Sequence, residues 1–578
     1  MPTRQQMWEG LAGTVDLLII GGGINGAGIA RDAARRGLKV AMIEMNDLAW
    51  GTSSRSSKLV HGGIRYLEQL EFSLVFEAVS ERRILLDIAP HLVNPLGFLF
   101  PVYKNSRRNL STIQAGMWLY DGLSLFRSPK RHRVLKVADI KREEPALTTK
   151  DMKGSPLYYD CSTDDARLTL ENALDAAQAG AHIVTWAKVE SFIRDGNSGR
   201  AIGANVRDVL TGKTKQLQAH AIINATGPWT DLTLREGKPL PDGQQALLRP
   251  TKGVHIVVNR DRLPVNYAVV CFHPQDGRVL FAIPWGEQTY IGTTDTDYKG
   301  DPGNVYADGA DVDYLIHAAN SYFPNNPITR EDVISTWAGL RPLIRPVGKD
   351  GRVSESAVSR EHEIIVSRDT GIITIAGGKL TTYRKMSAEV VDKALQLLRL
   401  SNKLPSATKL TSPQTESAPL PGAVGWPDND DHAAVAAQVR AASGDLLSPA
   451  SALLLTNTYG MLGAKLAERI KADPSLGQPL VAGRPEVLAQ VDWAVEHELA
   501  ATVSDVFMRR TQIFYRDRDQ GLSAVDLVAS RMAKLLGWDT ATAARHAEAY
   551  RAEVAASRRW QRDAAQNAEA VASRGATG

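Results

Sequence analysis

Residues 16–44 read DLLIIGGGINGAGIARDAARRGLKVAMIE, and few other features could constrain the fold of this chain as tightly. The apolar run over residues 15–20 predicts a buried parallel strand. Gly21, Gly23 and Gly26 then form G-x-G-x-x-G. The first glycine permits a tight turn, the second lets a pyrophosphate approach the backbone, and the third lets the following helix pack on its strand. A helix over 25–36 would aim its unpaired N–H groups at the phosphates. Residues 39–43 predict a second strand, and Glu44 at its end can accept a hydrogen bond from a ribose hydroxyl. The stretch therefore predicts a dinucleotide site in a doubly wound α/β domain.

The next segment bears on which dinucleotide. A nicotinamide enzyme continues with a second contiguous mononucleotide-binding half, but here that pattern stops after Glu44. Strand signals ending at glycine turns recur only far downstream, at Ala225-Thr226-Gly227 and at Gly377-Gly378-Lys379-Leu380-Thr381-Thr382. A cofactor wrapped by such distant segments is long and held permanently, which suits FAD. The hydroxyls of Thr52, Ser53, Ser54, Ser56 and Ser57, with the cation of Lys58, could serve its pyrophosphate and ribityl chain, although serine-rich loops are also common as solvated surface. The turn at 377–382 opens a helix, whose positive N-terminal end would favour an anionic reduced flavin ring.

Composition narrows the partners. The chain has 68 basic and 64 acidic residues, a net charge of +4 that is too mild to argue for nucleic acid. Its two cysteines, Cys161 and Cys271, are not in C-x-x-C, which argues against a disulfide framework or a zinc site and fits a reducing cytoplasm. No metal site is expected. The opening MPTRQQMWEGLAGT has no apolar h-region, so no secretory signal is expected, and no window reaches the about 20 apolar residues of a membrane span.

The expected organisation is an FAD-binding domain interleaved with a β-sheet substrate cap over 1–400, the cap falling mainly at about 75–150 and 240–350. A Pro-, Ser- and Thr-rich linker follows at 401–431, then an α-helical domain at 432–555 and a flexible tail at 556–578. Residues 117–126, MWLYDGLSLF, precede Arg127, Lys130, Arg131, His132, Arg133 and Lys136. That pairing suits contact with anionic lipid, and a buried helix before a solvated loop is the simpler reading of the same residues.

Several motifs together resemble the FAD-dependent (aerobic, respiratory) glycerol-3-phosphate dehydrogenases of the D-amino acid oxidase-like class. They are GGGINGAGIA at 21–30, TSSRSSKLVHGGIRYLE at 52–68, DDAR at 164–167, NATGPW at 224–229, IPW and IGTTD within 283–295, and AGGKLTTYR at 376–384. A looser match runs through DVFMRRT at 505–511 in the helical domain. The resemblance implies oxidation of sn-glycerol 3-phosphate to dihydroxyacetone phosphate by hydride transfer from C2 to the flavin. It also implies a membrane quinone as electron acceptor and a peripheral position on the cytoplasmic membrane face.

The matched motifs imply cofactor contacts from Gly21, Gly23, Asn25, Gly26, Glu44, Thr52, Ser53, Ser57, Lys58, His61, Gly62, Gly63, Ala225, Thr226, Gly227, Gly378, Lys379, Leu380 and Thr381. A phosphomonoester dianion calls for several cations, and Arg65, Arg341, Arg360 and Lys379 match pocket positions of the family. Tyr66 and Thr382 could position the substrate. His255 is the natural base by its ordinary pKa. Arg341, which does not deprotonate, suits stabilisation of the developing alkoxide. Alternatives of the same fold are a glycerol-3-phosphate oxidase using oxygen and an amine or amino-acid oxidoreductase. The four-cation set argues against the latter, since carboxylate recognition often needs a single arginine. The residues leave the helical domain two roles, a cap on the fold or a homodimer surface.

Overall fold

The computed structural model describes residues 2–63, 71–124, 129–240, 245–345, 362–404 and 410–562. Its first sheet grows around the opening strand, Thr14–Ile20, whose apolar side chains are fully shielded. Val40–Ile43 pairs parallel on one side and Thr214–Asn224 on the other. His182–Val184 and Ile373–Gly377 extend these two flanks, again in parallel. His362–Val366 closes one edge antiparallel, and the hairpin Ala187–Arg194 and Ala201–Asp208 branches from Thr214–Asn224. Helices Ile24–Arg35, Asp165–Gln178 and Tyr383–Leu400 pack together in a layer beside this sheet. Strands from residue 14 to residue 377 thus end side by side, with their glycine turns at one rim.

The second sheet is mixed and forms the cap. Thr251–Asn259 lies between Gln288–Gly292 and Val333–Arg341, both antiparallel to it. The sheet continues through Val279–Trp285, Ala268–Phe272, Val93–Leu99 and Met152–Thr163 to Leu59–Val60. Because residues 157–163 pair with Val93–Leu99 and residues 155–157 with Arg133–Leu135, the cap sheet runs past the expected boundary at 150.

The helical domain follows from His432–Ala442 to Thr540–Ser557. Its core is continuous with the cap: Phe507, Phe514 and Tyr515 belong to one buried cluster with Tyr290 and Trp337. Two expectations change. Within the supposed linker, residues 410–431 form a strap bound to the first domain: Arg31 Nη2 donates to the Ala418 carbonyl at 2.6 Å, Leu420 N–H donates to the Ile88 carbonyl at 2.8 Å, and the Leu420 side chain is buried. Most of its polar residues face solvent, while Thr415 is buried with Oγ1 bonded to Asp32 Oδ1 at 3.2 Å. The start of the supposed flexible tail is likewise ordered, because Trp560 is buried in the cap core and Arg558 Nε donates to Gln520 Oε1 at 2.6 Å. Among the described residues no helix is long and apolar enough to cross a membrane.

Candidate active site

A cavity of about 650 Å³ opens at the rim where the parallel strands end. The segments 20–25, 43–45, 50–56, 187–192, the turn and helix after Asn224, and 377–380 line it, with Asp301 and Pro342. The glycine turn is shaped by close backbone approach. Gly21 has φ +109°, and a Cβ there would stand 2.6 Å from the Ala225 carbonyl oxygen. A Cβ on Gly26 would stand 1.8 Å from the Gly21 oxygen, so only glycine lets the helix sit on the turn. Gly23 stands at the cap position of the helix Ile24–Arg35, brings no side chain of its own to its N–H groups, and lines the cavity. Ser53 Oγ accepts the Ile24 N–H at 2.9 Å and so ties the Ser/Thr loop to the same helix end.

Glu44 closes the other side of this turn. Its Oε2 accepts the Gly22 N–H at 2.6 Å and its Oε1 the Asn46 N–H at 2.8 Å. Burial pushes its carboxyl above the ordinary value against the pull of these two N–H groups. Trp50 and Trp229 add an aromatic wall, their ring centroids 5.7 Å apart. At the far end Gly377 and Gly378 take φ of +71° and +82°, turning the chain from its strand so that Gly378, Lys379 and Leu380 line the cavity. Of the anticipated cofactor residues, Gly21, Gly23, Asn25, Glu44, Thr52, Ser53, Ala225, Thr226, Gly227, Gly378, Lys379 and Leu380 line it.

The cap presents a second group of residues. His255 and Trp337 are register partners on adjacent strands, and their rings stack at 4.7 Å with 16° between planes. Gly292 faces His255 from the other neighbouring strand, where a Cβ would meet the imidazole at 2.1 Å. A Cβ on Gly253 would likewise meet the Arg341 guanidinium at 2.8 Å. Glycine on neighbouring strands therefore makes the room that both polar side chains occupy. Arg341 donates to Asp295 Oδ1 at 3.0 Å and to the Thr294 carbonyl at 3.2 Å while remaining partly exposed. Burial holds the His255 imidazole well below its ordinary pKa, and the cations of Arg341 and Lys58 add to the effect. His255 is consequently a neutral ring at pH 7, a state able to accept a proton.

Ser56 and Ser57 join the two halves. Ser56 lines the cavity, whereas Ser57 Oγ lies 3.0 Å from His255 Nε2. The remaining anticipated residues are placed differently. Lys58 does not face the cavity: its buried ammonium bonds Asp165 Oδ1 at 2.7 Å and the Ser54 carbonyl at 3.1 Å. Burial works against its charge, and Asp165 and Asp164 more than compensate, holding it protonated. Asp165 also accepts from Ser56 Oγ at 2.6 Å, so the pair fixes the loop's shape. Thr382 is buried with its hydroxyl against Met386 Sδ and the Lys379 carbonyl, and it does not line this cavity. Thr381 Oγ1 bonds both the N–H and the carbonyl of His61, clamping one turn to the other. The Gly62 N–H is taken by Tyr120 and Asp160. Gly26, His61, Gly62, Gly63 and Thr381 are not among the lining residues of this cavity. Arg65, Tyr66 and Arg360 lie outside the described residues.

Sequence reasoning missed Met45, Trp50, Leu232 and the edge strand at 187–192 as cavity wall. Trp50 stands next to the anticipated Ser/Thr loop, and Trp229 closes the NATGPW motif, so both aromatics could have been found. Nothing in AKVESFIR distinguishes a ligand-facing strand from any other amphipathic one.

Residues 16–384 match the FAD dependent oxidoreductase family, and residues 413–543 match the C-terminal domain of alpha-glycerophosphate oxidase. The aerobic glycerol-3-phosphate dehydrogenase of Bacillus subtilis (strain 168) is 38% identical over 537 residues, 93% of this chain and 94% of that protein. The chain belongs to the FAD-dependent glycerol-3-phosphate dehydrogenase family. Glycerol-3-phosphate dehydrogenase 2 of Mycobacterium tuberculosis (strain ATCC 25618 / H37Rv) is 39% identical, covering 94% of this chain and 88% of that one. A crystal structure of the glycerol-3-phosphate dehydrogenase from Bacillus halodurans complexed with FAD superimposes with a TM-score of 0.76 at 33% identity, covering 96% and 98% of the two chains.

The cofactor of this family member is FAD, and the cavity fits it. A helix end without a side-chain cap, glycines where a Cβ would collide, a carboxylate at the second strand's end and a distant glycine turn all face one space. Its lining includes both Glu44 and the turn at 377–380, the two ends at which an extended dinucleotide would be held.

Proposed function

We propose that this chain oxidises sn-glycerol 3-phosphate to dihydroxyacetone phosphate and passes the electrons to a membrane quinone. The observation that carries the reading is the Ser56–Ser57 junction, where the cofactor cavity meets a neutral, buried histidine beside an arginine. The names of the relatives supply the substrate.

When bound, FAD supplies the hydride acceptor. The Ser57 hydrogen bond and the Trp337 stack fix the His255 ring; in the neutral ring Nε2 carries the lone pair when Ser57 Oγ donates to it, and the substrate hydroxyl takes the place of that donor to pass its proton. Arg341 stabilises the alkoxide that develops at C2. Its bond to Asp295 is partly solvated, so a substrate anion can compete for the guanidinium. Lys379 brings a further cation to the flavin end of the cavity. Arg65, Arg360 and Tyr66, which match family pocket motifs, complete the phosphate site in this reading.

Membrane contact is assigned to the helices Phe72–Ile88 and Leu110–Leu123, which pack on each other. Met117 and Tyr120 turn inward, whereas Trp118, Leu119, Phe72 and Phe76 are exposed. Exposed aromatics, with Trp118 against the ring of His132, which follows the exposed Lys130 and Arg131 in the chain, suit a peripheral position on an anionic cytoplasmic leaflet.

The test is anaerobic titration of the FAD-loaded protein. Glycerol 3-phosphate should bleach the flavin, while glycerol and glycine should not. A soluble quinone should then restore the colour faster than oxygen does. No bleaching overturns the substrate reading, and faster recovery with oxygen overturns the quinone reading.

A further inference from the structure

We propose that the helical domain is part of the FAD site, with Arg509 and Arg510 acting as positioning residues for the adenosine end. The inference rests on FAD binding by this chain and not on the identity of the substrate. Asp47 is fully buried and accepts three bonds from the helical domain: Arg509 Nε at 2.5 Å, Arg510 Nη1 at 2.8 Å and Arg510 Nη2 at 2.9 Å. Both arginines are buried too and bind further partners in their own domain, Asp505 for Arg509 and the Glu498 carbonyl for Arg510. Two guanidinium groups and one carboxylate buried together cross a domain boundary, and such groups are costly to separate.

Asp47 lies in the turn that builds the cavity wall. Its carbonyl accepts the N–H of Trp50, and the Ala49 N–H donates to Gly22 in the glycine turn. Met45 and Trp50, on either side, line the cavity. Within the same turn the Asn46 N–H holds Glu44 Oε1, the group placed to meet a ribose. A second route starts at Asp505, which accepts the Trp186 indole N–H at 3.1 Å. The Trp186 backbone N–H donates to the Asn46 carbonyl at 2.7 Å, and the next residue begins the edge strand that walls the cavity. Both routes leave the segment 505–510 and converge on Glu44–Asn46. Through these bonds the segment 505–510 holds the turn and the edge strand that carry several lining positions.

Outer partners that orient binding groups are worth roughly 10–100-fold of affinity in metal sites, and the same order is expected here. The experiment is removal of FAD from the full-length protein, followed by measurement of FAD rebinding through quenching of flavin fluorescence. Thermal unfolding of the apo protein is recorded alongside. Arg510→Gln and Asp47→Asn should each raise the FAD Kd by about tenfold or more, and Arg510→Lys should recover part of the loss. Arg531→Gln is the control. Arg531 Nε bonds Asp492 Oδ1 at 2.7 Å wholly within the helical domain, so this variant should lower apo stability and leave the FAD Kd unchanged. An FAD Kd within twofold of wild type in Arg510→Gln and Asp47→Asn, whatever their stability, overturns the proposal. If both fail to fold, Trp186→Phe decides: it keeps an aromatic ring and removes only the indole bond to Asp505. A raised Kd there supports the proposal, and an unchanged Kd overturns it.

Discussion

The two sheets of this protein build their sites by opposite means. The parallel sheet binds at its rim, through backbone turns, and its glycines bring main chain against main chain: Gly21 against Ala225, Gly26 against Gly21. The cap sheet works from its face, through side chains, and its glycines make room for a neighbour's functional group: Gly253 for Arg341, Gly292 for His255. In the proposed function the first mode serves the long FAD cofactor and the second positions ionisable groups for the small substrate. The same residue type at the two sites should therefore fail in different ways when replaced.

The largest effect is expected at the rim. Gly26→Val places a side chain within the Gly21 carbonyl, and neither backbone segment can yield without losing the turn. The purified variant should carry no flavin, read as visible flavin absorbance per protein. On the cap, Arg341→Ala should retain FAD and lose about 10²–10³ in kcat/KM, the size of a missing group that stabilises developing charge. Loss of flavin from that variant would break the division between the sheets. Gly253→Ala should have a smaller effect of the same kind, about tenfold in kcat/KM, because the guanidinium can shift away from one methyl group. Smallest of all, Trp118→Ser should leave turnover with soluble acceptors untouched and weaken partition onto anionic vesicles by about 1 kcal/mol.

The difference between the sheets also explains what the sequence made legible. The rim is written locally. Gly21, Gly23, Gly26 and Glu44 fall within one βαβ unit whose period and turn chemistry specify it, and the turns at 225–227 and 377–380 each follow a recognisable strand. The cap is written at long range. His255 meets Trp337, Gly292 and Ser57 only through strand register and a crossing loop, and no local period reports such pairings. Lys58 shows the limit within a single motif. In an unbroken run of polar residues, Ser56 faces the cavity while Lys58 turns into the protein to meet Asp165, a residue more than a hundred positions away. The ordered strap at 410–431 and the buried Trp560 were hidden for a related reason: composition reports solubility of a segment, not the partner it docks against.

His255 joins the two sites, and its protonation state carries a further consequence. Because burial depresses its pKa, the folded protein binds fewer protons than the unfolded chain between that depressed value and about 6.5. This group therefore favours folding above that range and withdraws its contribution as the pH falls through it. The acid limb of kcat/KM should accordingly lie below pH 6.5.

The most direct test of the account is the rate of anaerobic flavin reduction by glycerol 3-phosphate in FAD-loaded His255→Asn. The account predicts a fall of about 10²–10⁴ in that rate, with the FAD Kd unchanged. A reduction rate within twofold of wild type, or a loss of FAD in place of a loss of rate, would contradict it.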